Sequence, residues 1–340
     1  MEKLEIIGGK KLQGSINISG SKNASLPILA ATILVNKVTL NNIPQVKDID
    51  TMIELLTSLG SKIYINKNKK KIKIHNYKSN KKVAKYKYVK TMRAGILVLG
   101  SLLSKFGKAK VSLPGGCAIG LRPVNLHIEA LKKMGVKIKI IEGYIYATAN
   151  NGLKGAKISF PKVSVGATEN LIIAACKAKG RTILSNCAIE PEVKDLSNFL
   201  IKLGCKIKWL GKRKVQIDGV KNLKDINYNI MFDRIEAVTY MIAAAATNGR
   251  VSIKNIQPKI IDKEILLLKK IGVKIIEKKN KITIISSKSL KGINIKTSPY
   301  PGFPTDLQAQ LMVLMCKAKN QSIIRENVFE NRFMHVPELN

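Results

Sequence analysis

Four times along the chain an amphipathic helical pattern closes on a glycine and runs straight into a short strand-like segment. The closures fall at 55–60, 131–135, 200–204 and 268–272, and their glycines, Gly60, Gly135, Gly204 and Gly272, are 75, 69 and 68 residues apart. Glycine suits the position because helices commonly end on a left-handed residue, a conformation that side chains disfavour. In the first copy Ile49, Met52, Ile53, Leu56 and Leu59 fall on one helical stripe. Before each of these helices lie an apolar helix, a strand and a turn. Such a unit cannot bury its apolar faces alone, so the copies must stack around shared cores, a few to a domain. The alternation of strands and helices predicts an α/β (α+β) protein. A fifth copy opens at Pro301-Gly302-Phe303-Pro304 and is expected to stop short of its glycine, leaving roughly 80 residues of the repeat unfilled and the last domain incomplete.

The start of each apolar helix carries the functional signal. The segments are Gly20-Ser21-Lys22-Asn23, Thr91-Met92-Arg93, Ser164-Val165-Gly166-Ala167-Thr168, Asp233-Arg234 and Thr305-Asp306. Free backbone N–H groups and the helix dipole favour anions at such places. Ordinary capping accounts for Thr168 and Asp306. It does not account for Lys22, Arg93 or Arg234, because a cation there opposes the dipole, and an anion-binding role is the expectation.

Composition narrows the partner. Basic residues number 60 against 22 acidic, a net charge of +38, yet the chain holds only 8 arginines. Lysine, isoleucine and asparagine are abundant together, as in A+T-rich coding sequences, so most of the charge reads as solvated surface. In Lys71-Ile72-Lys73-Ile74 the alternation puts isoleucine inward and lysine in water. The few arginines then stand out, since lysine cannot reproduce a planar bidentate fork. With a single Trp and lysines in every unit, no aromatic and basic platform for nucleic acid is visible. No apolar run approaches the roughly 18 residues that span a bilayer, and the opening lacks a signal peptide, so neither a membrane nor a nucleic acid is an expected partner and the cytoplasm is the expected compartment. Cys176, Cys187, Cys205 and Cys316 sit among apolar residues and are expected to be buried free thiols. His75, His127 and His335 lack ligand spacing, and no metal is expected.

The second copy departs from the rest. Its turn is a glycine-rich loop, Leu113-Pro114-Gly115-Gly116-Cys117-Ala118-Ile119-Gly120-Leu121-Arg122-Pro123-Val124-Asn125-Leu126-His127. Such a loop brings backbone close to a ligand. A thiol near Lys22, Arg93 or Arg122 is lowered in pKa and suited to proton donation or nucleophilic attack, so Cys117 is the expected reactive cysteine.

Seven ordered blocks across the whole chain resemble the enolpyruvyl transferases. They are Gly20 with Ser21-Lys22-Asn23-Ala24, then Arg93-Ala94, the loop 113–127, Lys162-Val163-Ser164-Val165 with 166–170, Asp233-Arg234-Ile235-Glu236-Ala237, 303–310 and 329–339. The resemblance implies a two-domain inside-out α/β barrel built from βαβαββ units, helices inside and sheets outside, with the substrates between the domains. It assigns residues 1–20 and 230–340 to one domain and 21–229 to the other. It implies transfer of the enolpyruvyl group of phosphoenolpyruvate to the 3′-hydroxyl of UDP-N-acetylglucosamine, releasing phosphate, the first committed step of peptidoglycan synthesis, with no cofactor. By the same resemblance Cys117 protonates C3 of phosphoenolpyruvate and can form a covalent adduct, and Asp306 is the base at the sugar hydroxyl. Lys22, Asn23 and Arg122 hold phosphoenolpyruvate. Arg93, Arg122, Pro123, Val124, Asn125, Leu126, Lys162, Val163, Ser164, Val165, Asp306 and Val328 hold the sugar nucleotide, with Arg234 and Arg332 as cleft residues.

Two departures follow. Asn125 stands where the family has aspartate, which removes a charge and adds a donor at the uridine position. The family's Asp-Leu-Arg segment and a further arginine fall beyond residue 340. The alternatives are a catalytically impaired remnant or scaffold, a chain completed by a separately encoded C-terminal fragment, and the sister activity on shikimate 3-phosphate.

Overall fold

The computed structural model describes residues 5–66, 70–77, 80–115, 124–286 and 289–340. Among them the chain forms two compact units, a larger one within 20–231 and a smaller one from 5–19 and 232–340.

The larger unit repeats one sheet design. A strand lies parallel to its neighbour, and two antiparallel strands complete the sheet. Lys157–Ser159, Arg181–Ser185, Lys214–Asp218 and Lys206–Trp209 lie in that order, as do Val83–Ala84, Lys108–Ser112, Tyr144–Thr148 and Lys137–Ile141. In the remaining sheet of this unit Ile226–Asn229 is the parallel strand, followed by Lys37–Asn41, Lys71–His75 and Lys62–Ile65. Parallel neighbours need a crossover, and helices Val98–Phe106 and Val165–Ala175 supply it in the first two sheets. In the third, the partner strand arrives from the far end of the unit's chain, Ile226 pairing with Val38.

Helices Lys22–Ala31, Val98–Phe106 and Val165–Ala175 are largely apolar on every side and are buried accordingly. Every residue of 24–31 and of 167–175 is buried. They pack on one another, and the sheets lie around them. The intervening helices Lys47–Ser58, Asn125–Lys133 and Pro191–Leu203 are amphipathic and bury one stripe, such as Ile49, Met52, Leu55 and Leu56. Strand Lys71–His75 alternates as its sequence predicts, with Ile72 and Ile74 at 1% and 0% exposure.

The smaller unit has a sheet of the same order: Gln13–Asn17, Arg250–Lys254, Lys281–Ile285 and Lys274–Lys278. Helices Arg234–Ala246 and Asp262–Ile271 pack on it. A further strand, helix and strand follow, Asn294–Lys296, Gln308–Met315 and Ile323–Arg325, with the strands parallel. They are the opening half of a fifth copy.

All four closing glycines are left-handed, at φ of +100° for Gly60, +86° for Gly135, +108° for Gly204 and +107° for Gly272. In each, the next N–H reaches back to a carbonyl of the last turn: Ser61 to Leu56 at 3.1 Å, Val136 to Leu131 at 3.3 Å, Cys205 to Leu200 at 3.0 Å and Val273 to Leu268 at 3.0 Å. The same hydrogen bond therefore closes every copy, which is why glycine recurs there.

One expectation about the cysteines is corrected. Cys176, Cys187 and Cys205 are buried, but Cys316 is exposed. Helix Gln308–Met315 buries Leu311, Leu314 and Met315, and the next position turns away from that stripe.

Candidate active site

The cations and hydroxyls singled out in the larger unit stand where its buried helices begin. Ser21 Oγ accepts from Ala24 N at 3.3 Å, and Lys22 Nζ lies 3.2 Å from Asp48 Oδ2 on the neighbouring helix. Asp48 offsets the cost of placing a cation at a helix start. Asn23, beside it, is exposed. Arg93 opens the turn Arg93–Leu97 that leads into helix Val98–Phe106. Ser164 Oγ accepts from Ala167 N at 3.3 Å, Val165 and Lys162 are exposed, and Val163 is half-buried.

Thr168 is not a cap. It is buried one turn inside the helix, donates to Ser164 O at 2.7 Å and accepts from Ala188 N at 3.0 Å, as a helical threonine does when it bonds back to the preceding turn.

His127, on the first turn of helix Asn125–Lys133, joins three of these segments. Its Nδ1 is 2.9 Å from Asn170 Nδ2, and Asn170 Oδ1 accepts from Gly100 N at 2.8 Å. With the amide oxygen engaged by Gly100, the Asn170 nitrogen faces the ring as donor, so Nδ1 accepts and the imidazole proton sits on Nε2. Burial, and then the Arg93 guanidinium, push the His127 pKa down to about 4. A neutral ring can stay buried, 6% exposed, beside that arginine. A Cβ on Gly100 would meet Asn170 Oδ1 at 2.2 Å, so this glycine permits the close packing, whereas one on Gly166 would make only an ordinary contact with the ring at 3.5 Å. Arg93, the Val124-Asn125-Leu126 run and the start of helix Val165–Ala175 are thus held together. Cys117, Arg122 and Pro123 lie outside the described residues.

In the smaller unit Asp306 does not cap a helix either. It lies in the turn Thr305–Leu307, and its Oδ1 accepts from Arg332 Nη2 at 2.6 Å. Arg332 also donates to Thr305 O from Nε and Nη2, each at 3.4 Å. Val328 N donates to Glu326 Oε1 at 2.8 Å. Arg234 lies inside the unit, 6% exposed, with Nη1 3.9 Å from Glu264 Oε1 and its guanidinium 5.7 Å from the Tyr300 ring centre.

Asp48, Asn170, Glu264 and Glu326 did not emerge from the sequence. Asp48 stands in the first turn of an amphipathic helix, Asn170 and Glu264 are polar residues on buried helix faces, and Glu326 follows a strand, so none lies at the start of an apolar helix, where the chemistry is legible.

A further group of acids is buried in the larger unit. Glu169, Glu190, Glu192 and Asp195 are each at most 8% exposed. Burial first, then the Glu192 and Glu190 carboxylates, push Glu169 well above the usual range. Asp195 is raised to about 6 by burial, against hydrogen bonds from Tyr228 Oη at 2.7 Å and Met231 N at 3.2 Å. A carboxyl raised on folding holds its proton more tightly in the folded chain, so its contribution is full below the unfolded value and is lost as pH rises through the folded one. The melting temperature should therefore fall as pH rises from about 4 through about 6 as Asp195 ionises, and Glu169, also raised, should carry the fall further, so that Glu169→Gln flattens it by at most about 1.4 kcal/mol per pH unit. An unchanged slope in the variant would show that Glu169 ionises normally.

The sequence profile of the family described as EPSP synthase (3-phosphoshikimate 1-carboxyvinyltransferase) matches residues 6–340. The UDP-N-acetylglucosamine 1-carboxyvinyltransferase of Pelagibacter ubique (strain HTCC1062) is 68% identical over 341 residues, which cover 100% of this chain and 81% of that protein. The protein of the same name from Geotalea uraniireducens (strain Rf4) is 51% identical over 343 residues, with the same 100% and 81% coverage. Among solved structures, the enolpyruvyl transferase NikO from Streptomyces tendae superposes with a TM-score of 0.86 at 21% identity, over 98% of this chain and 79% of that one. EPSP synthase from Acinetobacter baumannii gives 0.72 at 19% identity, over 97% and 78%. At these identities the superpositions speak to the fold.

Proposed function

The chain belongs to the EPSP synthase family of enolpyruvyl transferases, and from that membership we propose that it moves the enolpyruvyl group of phosphoenolpyruvate onto the 3′-hydroxyl of UDP-N-acetylglucosamine, releasing phosphate. The observation that carries this choice of acceptor is the 68% identity to a UDP-N-acetylglucosamine 1-carboxyvinyltransferase along the whole chain. The reaction begins peptidoglycan synthesis, in the cytoplasm where nucleotide-linked sugars are assembled. Among the described residues no helix is long and apolar enough to cross a membrane.

In this reading Cys117 delivers a proton to C3 of phosphoenolpyruvate, which makes C2 electrophilic. The sugar oxygen adds to C2 while Asp306 takes its proton, and a tetrahedral intermediate forms. Loss of a C3 proton together with phosphate restores the double bond as an enol ether. Lys22, Asn23 and Arg122 bind the phosphate and carboxylate of phosphoenolpyruvate. A charge-assisted contact at a helix start adds backbone N–H donors to the lysine charge, which suits a dianionic phosphate. Arg93, the run Arg122-Pro123-Val124-Asn125-Leu126, the run Lys162-Val163-Ser164-Val165 and Val328 bind the sugar nucleotide. Neutral His127, bonded to Asn170 and near Arg93, ties the helix that begins at Asn125 to helix Val165–Ala175. Asn125 offers the uracil an amide in place of a carboxylate, so it can donate as well as accept.

The test is turnover by the purified chain. Phosphate release with phosphoenolpyruvate and UDP-N-acetylglucosamine, together with a product heavier than the sugar nucleotide by the enolpyruvyl group, is the expected result. Phosphate release with shikimate 3-phosphate alone would reassign the acceptor, and no release with either would remove the reading.

A further inference from the structure

We propose that Glu326, a residue outside the substrate contacts assigned above, is the positioning residue that sets both Asp306 and the Val328 loop for the sugar nucleotide, a role that rests on the reading given under Proposed function. One carboxylate gathers four donors. Oε1 accepts from Thr297 Oγ1 at 2.8 Å, from Val328 N at 2.8 Å and from Phe329 N at 3.1 Å, while Oε2 accepts from Thr305 Oγ1 at 2.9 Å. Thr297, fully buried, in turn accepts from Asn327 N at 2.9 Å. Three successive backbone N–H groups, at 327, 328 and 329, are therefore fixed by the Glu326 and Thr297 pair. The other carboxylate arm holds Thr305, the residue before Asp306.

The chain positions explain why a glutamate is needed. Glu326 follows strand Ile323–Arg325, whose parallel partner Asn294–Lys296 ends just before Thr297. Past these last ladder positions the backbone donors of 327–329 have no strand to pair with, and a side-chain acceptor must replace it. An ionised carboxylate presents two acceptor oxygens on one side chain, so it can gather donors from both directions, three sharing Oε1 and one on Oε2. The second arm then couples that turn to Thr305. Arg332 closes the arrangement from the other side, on Thr305 O and Asp306 Oδ1. Asp306 is thus set by two charged residues, one bonded to its carboxylate and one acting through its neighbour.

Glu326→Ala and Thr305→Val test this, with steady-state kinetics on both substrates and a melting curve for each variant. Glu326→Ala removes both arms and should raise the KM for UDP-N-acetylglucosamine at least about tenfold, the size expected for lost charged hydrogen bonds, with the KM for phosphoenolpyruvate within about twofold. Thr305→Val removes only the Oε2 arm and should lower kcat about tenfold while leaving the sugar-nucleotide KM within about threefold. A folded Glu326→Ala chain with both constants within twofold of wild type would overturn the proposal. So would an equal rise in both KM values, the mark of general loosening. Should Glu326→Ala fail to fold, Thr305→Val decides alone, and an unchanged kcat overturns the proposal. Absence of turnover in the unsubstituted chain would instead remove the functional reading on which all of this rests.

Discussion

An epoxide such as fosfomycin should label this chain at Cys117, and Cys117→Ser should both abolish the label and lower turnover by about 100-fold or more. The nucleophile is the thiolate, so selectivity follows from which sulfur ionises and which can be reached. Burial, and then a hydrogen bond with Cys205, raise the Cys176 thiol well above its ordinary value. Burial pushes Cys187 up to about 12, against the Lys194 and Arg213 charges. Both are closed to reagent, as is Cys205. Cys316 is exposed and is therefore the competitor that matters. Peptide mass spectrometry over a time course separates the two sites. Labelling of Cys316 ahead of Cys117, or a Cys117→Ser chain that keeps turnover within tenfold, would sink the assignment.

The second large effect is expected at Asp306. Asp306→Asn should lower kcat by roughly 100-fold to 10,000-fold, the range of a general base, with the KM for UDP-N-acetylglucosamine changed only a few-fold. The geometry motivates the split. Arg332 engages Oδ1 at 2.6 Å, and the Asp306 side chain is 45% exposed, so the carboxylate is held on one oxygen and still open to a hydroxyl. Asparagine keeps an acceptor for Arg332 and loses the basicity. A kcat within tenfold of wild type would show that another group takes the proton.

Local signals carried far in this chain. The glycine at each helix end is legible because only a residue without Cβ enters the left-handed region freely, and Gly60, Gly135, Gly204 and Gly272 all do so. The helix starts at Lys22, Arg93, Val165 and Arg234 follow from the switch between turn residues and apolar runs. Capping is less legible. Ser21, Ser164 and Asp233 take that role, while Thr168 and Asp306 have other partners. A cap is defined by its φ/ψ and its bonded N–H, and a one-turn offset changes the residue while hardly altering the pattern.

The residues proposed for the candidate site could be named from the sequence, but their bonds could not. Lys22 and Asp306 are found from chemistry at helix starts, yet their ion-pair partners Asp48 and Arg332 each lie 26 residues away along the chain. Each pair lies within one copy, so which charge meets which depends on how the helices, strands and turns of that copy fold back on one another.

By itself the sequence determined the repeat, the class of fold, the helix ends and the residue types that an enolpyruvyl transfer requires, because each depends on neighbours within a turn or two of backbone. Only the tertiary structure decided that Ile226–Asn229 completes the sheet of Lys37–Asn41, that Asn170 bonds to a His127 kept neutral by burial beside Arg93, and that the Glu326 carboxylate gathers Thr297, Thr305 and the N–H groups of Val328 and Phe329. These are contacts between residues distant in sequence, made when buried polar groups find the partners that desolvation obliges them to have.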